Sequence, residues 1–169
     1  MPDQNDNSLP RGVRIRSDLV EAFIFRRRAG AIDLLQMRRR ADAKRSPGTW
    51  QPVLGHIEEG ESALEAARRE VGEETGLEAA DCLGWWQLEQ VHPFFVADAN
   101  AIFLCPRFVV EAAASWEPVL DNEHEAHRWV ALGNADDAFI WPGQREAIRE
   151  FTGEILDPSS ATAALLRLD

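Results

Sequence analysis

Apolar residues along this chain follow two patterns, with extended runs on either side of one segment that has helical spacing. The runs are rich in Val, Ile, Leu, Phe and Trp and are separated by Gly, Pro, Asn and Asp, which is typical of strands joined by turns. The predicted strands span residues 13–26, 31–40, 50–54, 83–91, 101–110 and 128–132. The first two form a hairpin around Gly30, and Pro106 indicates an edge or a bulge in the fifth.

The segment with helical spacing covers residues 62–75. Ser62 and Glu65 have the spacing of a capping box, which satisfies free N–H groups in the first turn. Gly76 suits the left-handed position that ends a helix. The apolar residues at intervals of three and four predict one buried face: Leu64, Ala67 and Val71.

A second helix is predicted from Pro142 to about residue 154, with an apolar stripe that packs on the sheet. Strands before and after a central helix, followed by a closing helix, predict a mixed sheet covered by helices, an α/β fold. The sequence predicts one domain over residues 13–155. Residues 1–12 are predicted to be a flexible tail, and residues 156–169 a tail or a short helix.

Composition narrows the class of protein. The chain has 169 residues, of which 45% are hydrophobic, so a packed core is expected. No apolar run approaches the roughly 20 residues that span a bilayer, and the polar N-terminus lacks the apolar centre of a signal peptide. We therefore expect a cytoplasmic protein without a membrane partner. Cys82 and Cys105 form no disulfide framework or metal spacing and are expected in or near the core.

Charge is unevenly distributed along the chain. The net charge is −11, yet residues 1–45 carry eleven Lys and Arg against six Asp and Glu. The remainder carries seven against twenty-three. The overall field argues against a nucleic-acid partner. An arginine cluster beside an acidic centre would instead suit a polyphosphate, although solvated strand ends are an alternative explanation for any single arginine.

Three carboxylates in the first helix share one face, since Glu70, Glu73 and Glu74 are spaced by three and four residues. Like charges this close repel each other unless a cation joins them, and a hard cation such as Mg²⁺ prefers oxygen ligands. Gly55 could add a backbone carbonyl to the same ion. Arg69 lies off that face and can pair with Glu73 or with the glutamate of the capping box. An ordinary acidic surface helix is the alternative.

These residues resemble the Nudix box in every specified position and spacing: Gly55, Glu61, Arg69-Glu70, Val71, Glu73-Glu74, Gly76 and Leu77. The resemblance covers about residues 13–153 and implies the Nudix fold, an α/β/α sandwich with the box as a loop–helix–loop. It implies that Glu70, Glu73 and Glu74 bind Mg²⁺, with Mn²⁺ as the alternative, and that the Gly55 carbonyl lies beside them. It also implies a small-molecule phosphoanhydride substrate and leaves a homodimer open.

Other residues resemble one Nudix branch, the dihydroneopterin triphosphate pyrophosphatase-like and dATP pyrophosphohydrolase-like enzymes. Glu123, in the run NEHEAHRWV, resembles a Glu-His-x-x-x-Trp pattern of that branch. By this resemblance Glu123 is a metal ligand or the general base, with Glu70 as the other candidate base. The further matches are Trp50-Gln51, Arg38-Arg39 and Gln144-Arg145. Arg16 and Arg38 would contact phosphate, while a solvated loop glutamate is the alternative for Glu123.

Several aromatic side chains could stack on a heteroaromatic ring, and one or two of them are expected to face a ligand. The candidates are Trp50, Trp85, Trp86, Phe94 and Phe95, with His92 beside them. The expected reaction is Mg²⁺-assisted hydrolysis of a dATP-like nucleoside triphosphate or a pterin triphosphate to monophosphate and pyrophosphate. The alternatives are hydrolysis of a nucleotide sugar, ADP-ribose or a dinucleoside polyphosphate. A non-catalytic nucleotide sensor is a further alternative, although such domains typically lose box glutamates.

Overall fold

The computed structural model describes residues 12–168, which form two β-sheets and the helices that cover them. The strands are β1 Arg14–Arg16, β2 Leu19–Arg28, β3 Ala31–Arg39, β4 Trp50–Gln51, β5 Val53–His56, β6 Cys82–Gln87, β7 Phe94–Val96, β8 Ala101–Phe103, β9 Arg107–Ala112, β10 His124–Ala131 and β11 Arg167–Leu168. The α-helices are α1 Ala63–Thr75, α2 Ala135–Ala138, α3 Pro142–Glu150 and α4 Ala163–Leu166. A π-helical turn, Phe151–Ile155, extends α3.

The larger sheet is mixed, with strand order β10–β3–β2–β9–β6–β11. Strands β4 and β5 pair with β3 and β2 beside this path. β2 and β9 are parallel, and the other pairs are antiparallel. The hairpin of β2 and β3 is confirmed, and its turn places Ala29 and Gly30 at positive φ (48° and 82°).

Two predicted strands each divide between the two sheets, so their predicted continuity is wrong. The run 13–26 becomes β1 and β2, and the run 101–110 becomes β8 and β9, interrupted at residues 104–106. β1 pairs in parallel with β8 in a three-stranded sheet completed by β7, a strand the sequence did not predict. Because proline has no N–H to donate to a strand ladder, the change of sheet falls where Pro106 allows it.

Helices cover both faces of the larger sheet, which confirms the predicted α/β/α sandwich. Alternate residues of β2 enter different cores, with Ala22 facing α1 and Phe23 facing α3. The core beneath α1 includes Val20, Ile24, Leu35, Met37, Val53, Ala66, Ala67 and Val71. The core beneath α3 includes Phe25, Leu34, Val109, Ala147, Ile148, Phe151 and Ile155. A strand buried on both faces reads as a continuous apolar run, as this one does.

Of the two predicted tails, the C-terminal one can be compared with the structure. The predicted N-terminal tail lies outside the described residues except for Gly12. The C-terminal segment contains the short helix α4 and then β11, which pairs with β6 at the edge of the sheet. Within residues 12–168, no helix is both long enough and apolar enough to cross a bilayer. The cytoplasmic location and the homodimer stay predictions.

Candidate active site

Helix α1 has the ends that its sequence predicts. The Ser62 side chain accepts a hydrogen bond from the backbone N–H of Glu65, and the Glu65 side chain accepts one from the Ser62 N–H (2.8 Å). Gly76 ends the helix in the left-handed conformation (φ 69°) and donates its N–H to Gly72. Local interactions therefore determine both ends of the helix and fix which side chains face the sheet.

Glu70 packs directly against the backbone of β5. A Cβ atom added to Gly55 would lie 2.0 Å from the carboxyl carbon of Glu70, so any larger residue here would displace the Glu70 side chain. Glu70 Oε1 accepts a hydrogen bond from the backbone N–H of His56 (3.2 Å). The glycine of the motif is thus explained by the close approach of one of its own glutamates.

Arg69 joins the loop before α1 to the carboxylates of the helix. Its guanidinium donates two hydrogen bonds to Glu61 (2.7 and 3.0 Å) and one to the His56 carbonyl (2.8 Å). It also donates to Glu70 (2.9 Å) and to Glu73 (3.2 Å). The sequence predicted Glu73 or Glu65 as the partner of Arg69. Glu73 pairs with Arg69, while Glu65 caps the helix. The hydrogen bonds from Arg69 lower the pKa of Glu61 to about 2.

Glu74 is the most buried carboxylate of the helix, with 4% of its surface exposed. Its Oε2 atom has no hydrogen-bond partner in the described part of the chain. Burial, followed by the nearby charges of Glu70, Asp121 and Glu123, raises the pKa of Glu74 to about 9. A buried carboxylate without a partner is costly, so this position is arranged for a positive ligand.

All the box glutamates predicted to bind metal line one cavity, which we call the acidic cavity. Its volume is about 650 Å³. Gly55 and Glu123, both predicted from the sequence, line it too, together with Asp121, which the sequence analysis did not single out. Asp121 Oδ1 accepts a hydrogen bond from the backbone N–H of Glu123 (3.1 Å) and lies 3.0 Å from His124 Nδ1. Asp121 could have been predicted from the sequence, because it belongs to the same acidic run as Glu123.

The donor set of the acidic cavity fits a hard divalent cation. The carboxylates that line it provide the oxygen ligands that Mg²⁺ prefers, and Gly55 lines the same cavity. The unpartnered Glu74 Oε2 is the atom most in need of a cation. Within residues 12–168, no three His, Cys, Asp or Glu side chains already form a closed ligand group. The carboxylates therefore share the cavity without converging on one point.

The last residue of β3 and the loop after it, residues 39–45, border the acidic cavity, and we call this segment the basic loop. Arg39, Lys44 and Arg45 line the cavity itself. The same three side chains also line an adjoining recess of about 600 Å³ together with Arg40. Arg39 lies 3.5 Å from Glu123, and its charge acts on Glu74 to lower the pKa. The loop thus places cations beside the carboxylates, as the uneven charge of the sequence suggested.

Two of the predicted substrate contacts lie away from the acidic cavity. Arg38 and Trp50 are register partners in β3 and β4 and share the face opposite to Met37 and Gln51. Arg38 forms an ion pair with Glu125 (3.2 Å). Side chains alternate across a strand, so the adjacent residues Arg39 and Gln51 line the cavity, while Arg38 and Trp50 do not.

The remaining predicted phosphate contact, Arg16, is also outside the residues that line the cavity. Arg16 forms an ion pair with Asp18, and its guanidinium lies 5.1 Å from the centre of the Phe103 ring. The Asp18 hydrogen bond raises the pKa of Arg16. In this structure Arg16 is therefore held at the small sheet rather than at the carboxylates.

A second cavity, which we call the aromatic pocket, opens beside the acidic cavity and has a volume of about 580 Å³. The two share Ser46, Gln51, Leu54, Phe94 and Val96. His92, Phe94 and Phe95 line it, as the sequence suggested for some aromatic residues. Trp85 and Trp86 are buried in the core instead. Sequence reasoning missed Glu21, Arg107 and Trp141, which also line the pocket, and it gave Gln144 only as a match to the Nudix branch, without a role.

Known proteins resemble this chain in sequence and in fold. A Myxococcus xanthus octanoyltransferase is 30% identical over 135 residues, covering 79% of this chain and 36% of that protein. A mouse bis(5'-nucleosyl)-tetraphosphatase [asymmetrical] is 35% identical over 96 residues, covering 51% of this chain and 58% of that protein. The chain thus spans about a third to three fifths of the curated relatives it matches.

Among solved structures, the E. coli dihydroneopterin triphosphate pyrophosphohydrolase is 25% identical, with a TM-score of 0.67. The match covers 82% of this chain and 97% of that one, and it belongs to the branch suggested by the sequence. A family model for the NUDIX domain matches residues 18–151, a span that includes the whole box, α1 and α3 and ends at the first residue of the π-helical turn. The resemblance seen in the sequence is confirmed, and this chain belongs to the Nudix family.

Proposed function

We propose that this protein hydrolyses a phosphoanhydride bond of a nucleoside or pterin triphosphate in the presence of Mg²⁺, releasing pyrophosphate. The observation that carries the proposal is the position of the acidic cavity between the aromatic pocket and the basic loop, with lining residues shared on both sides. A substrate with a ring at one end and phosphates at the other matches this order of apolar, acidic and basic surfaces.

The residues of this chain would divide the work as follows. Glu70, Glu73, Glu74 and Glu123, with the Gly55 carbonyl, would hold Mg²⁺ or Mn²⁺. The bound ion neutralises phosphate charge and lowers the pKa of the attacking water. Glu70 and Glu123 are the two candidates to accept the proton of that water, since both line the acidic cavity.

Two sets of basic residues would have separate tasks. Arg69 holds Glu70 and Glu73 in place through charge-assisted hydrogen bonds, so it positions ligands rather than contacting substrate. Arg39, Lys44 and Arg45 face the cavity and would neutralise the leaving phosphates. Arg39 thereby takes the part that the sequence resemblance assigned to its neighbour Arg38.

A dinucleoside polyphosphate is the second candidate substrate. The mouse relative named bis(5'-nucleosyl)-tetraphosphatase, at 35% identity, favours it. In that case the phosphates would continue past the basic loop to a second nucleoside. The nucleoside or pterin triphosphate is preferred because the E. coli dihydroneopterin triphosphate pyrophosphohydrolase matches over 97% of its length, against 58% for the mouse relative. The aromatic pocket beside the acidic cavity supports the same choice.

The test is a hydrolysis panel with Mg²⁺, with products identified by ³¹P NMR. The panel contains nucleoside triphosphates, dihydroneopterin triphosphate, dinucleoside tetraphosphates, ADP-ribose and nucleotide sugars. We expect pyrophosphate from a triphosphate, and loss of that product with EDTA and in Glu74→Gln. The exposed Glu78→Gln is the matched control, because Glu78 follows the same helix outside the acidic cavity.

The other outcomes of this panel are equally clear. Cleavage of dinucleoside tetraphosphates alone would move the protein to the second candidate. Binding of a nucleotide without hydrolysis by the Mg²⁺-loaded wild type would refute the hydrolase and support a sensor. Equal activity in Glu74→Gln and the wild type would remove Glu74 from the proposed ligand set.

A further inference from the structure

The floor of the aromatic pocket is a buried polar triad formed by Glu21, Arg107 and Gln144. Glu21 and Arg107 are register partners in the parallel strands β2 and β9. Arg107 Nε donates to Glu21 Oε2 (2.8 Å), and Gln144 Nε2, from α3, donates to Glu21 Oε1 (2.8 Å). All three residues are buried, and burial raises the pKa of Glu21 while Arg107 and Gln144 lower it.

This triad fixes the direction of the Gln144 amide. A carboxylate that already takes a hydrogen bond from an arginine is an acceptor, so the amide must turn its N–H group toward Glu21. Its Oε1 atom then points away from the triad. Gln144 is 6% exposed, and its Oε1 has no hydrogen-bond partner in the described part of the chain. An orphaned buried acceptor costs free energy unless a ligand donates to it.

A second amide with an orphaned atom lines the same pocket. Gln51, in β4, is also 6% exposed, and its Nε2 has no partner among residues 12–168. Gln51 borders the acidic cavity as well, so it stands where the two cavities join. Two amides held on regular secondary structure thus line the pocket, and each has one buried polar atom without a partner: an acceptor on Gln144 and a donor on Gln51.

The mouth of the pocket carries aromatic surface in solvent. Phe95 and Trp141 both line the pocket and are 57% and 51% exposed; Phe95 lies in β7 and Trp141 directly precedes α3. Gly143 lets Arg107 approach α3, since a Cβ atom there would lie 2.7 Å from the guanidinium. The exposed aromatic side chains can stack on the face of a flat ring, and the buried polar residues can form hydrogen bonds with groups at the edge of that ring.

We propose that the aromatic pocket selects a heteroaromatic ring that donates an N–H hydrogen bond to Gln144 Oε1, while Gln51 Nε2 donates to an acceptor on the same ring. The proposal rests on the proposed function and deepens it by naming specificity residues. The favoured substrates carry an amino-substituted ring, as aminopurines and pterins do. Glu21 and Arg107 are positioning residues that hold the Gln144 amide.

The test compares ring pairs that differ by one amino group. ATP is compared with purine riboside triphosphate, GTP with inosine triphosphate, and ribose 5-triphosphate serves as the substrate without a ring. The wild type is expected to prefer the amino member of at least one pair by about 10- to 100-fold in kcat/KM, as expected for a lost hydrogen bond to a buried group.

The variant is Gln144→Met, which keeps the size of the side chain and removes the acceptor. The preference within the pair should fall to about one, while hydrolysis of ribose 5-triphosphate stays at the wild-type rate. The exposed Gln87→Met in β6 is the control and should keep the wild-type preference. An equal loss on substrates with and without a ring, or an unchanged preference, would overturn the proposal. If Gln144→Met does not fold, Gln51→Met is tested with a pair that differs in one ring acceptor, ATP and 7-deaza-ATP. The wild type should prefer ATP, and an unchanged preference in Gln51→Met would overturn the proposal.

Failure of the proposed function would be visible separately. A wild type that cleaves none of these triphosphates refutes the hydrolysis, and the pocket is then tested by calorimetric titration with the nucleosides alone. Tighter binding of adenosine than of purine riboside, or of guanosine than of inosine, that is lost in Gln144→Met would support the ring site. Equal binding of both members of each pair would overturn it.

Discussion

Glu74→Gln is expected to stabilise the metal-free protein while it abolishes activity. Glu74 is buried, and burial together with neighbouring carboxylates raises its pKa from 4.5 to about 9. The unfolded chain releases this proton near pH 4.5, whereas the folded chain keeps it until about pH 9. Stability is therefore present in full below pH 4.5 and is lost as the pH rises toward 9. Glutamine carries no proton to lose, so its stability should not follow this pH dependence.

The magnitude follows from the pKa. In the unfolded chain Glu74 has its ordinary pKa of 4.5, which lies 2.5 units below pH 7. Each unit corresponds to 1.36 kcal/mol, so keeping Glu74 protonated in the folded state lowers the free energy of unfolding at pH 7 by about 3 kcal/mol. This value is the upper limit of the gain in Glu74→Gln. For a chain of this length it corresponds to a rise in Tm of about 6 to 12 °C.

The assay is urea denaturation from pH 5 to pH 9 in EDTA. The free energy of unfolding of the wild type should decline across this range more steeply than that of Glu74→Gln. Added Mg²⁺ should stabilise the wild type, since an ion that binds only the folded state raises its stability, and should stabilise the variant less. Parallel pH profiles, or a variant less stable than the wild type at pH 8 without metal, would refute this account of Glu74.

Three further predictions concern the residues around this carboxylate. Gly55→Ala should lower Mg²⁺ affinity and destabilise the fold by about 1 to 3 kcal/mol through overpacking. Gly133→Ala is the control, because Gly133 has open space around it, and it should change neither quantity. Titration calorimetry measures the affinity and scanning calorimetry the stability. Arg39→Ala should raise KM for the substrate several-fold and Arg38→Ala should leave it unchanged; steady-state kinetics giving the reverse order would restore the assignment made from the sequence. Glu61→Gln should remove stability that the wild type holds above pH 4.5 and loses as the pH falls toward about 2, so circular dichroism during acid titration should show a flatter profile for the variant.

The catalytic helix could be predicted closely because its signals are local. The capping box and the terminal glycine lie within four residues of the positions they act on, and the structure ends α1 within one residue of the prediction. The box glutamates follow, since their spacing alone places them on one face. The role of Gly55 needed the fold, because the side chain it accommodates lies 15 residues away on α1.

The strands were harder to predict because an apolar run in the sequence does not indicate which strand it pairs with. Residues 13–26 and 101–110 read as continuous strands, yet each changes sheet within its length. The hydrogen bonds that decide this join Leu104 to Arg16 (2.8 Å) and Glu21 to Pro106 (3.1 Å), which are far apart in sequence. Pro106 marked the interruption, but nothing local indicates that β1 and β8 leave the larger sheet together.

Charge, motif spacing and helix caps are properties of neighbouring residues, so the family, the sandwich and the carboxylate face could be read directly from the chain. Side-chain direction on a strand depends on register, and Arg38 and Arg39 are chemically identical neighbours that register sends to opposite faces. The aromatic pocket depends on tertiary structure still more strongly. Its floor joins Glu21 to residues 86 and 123 positions away, and only sheet pairing and helix packing bring such distant polar groups together.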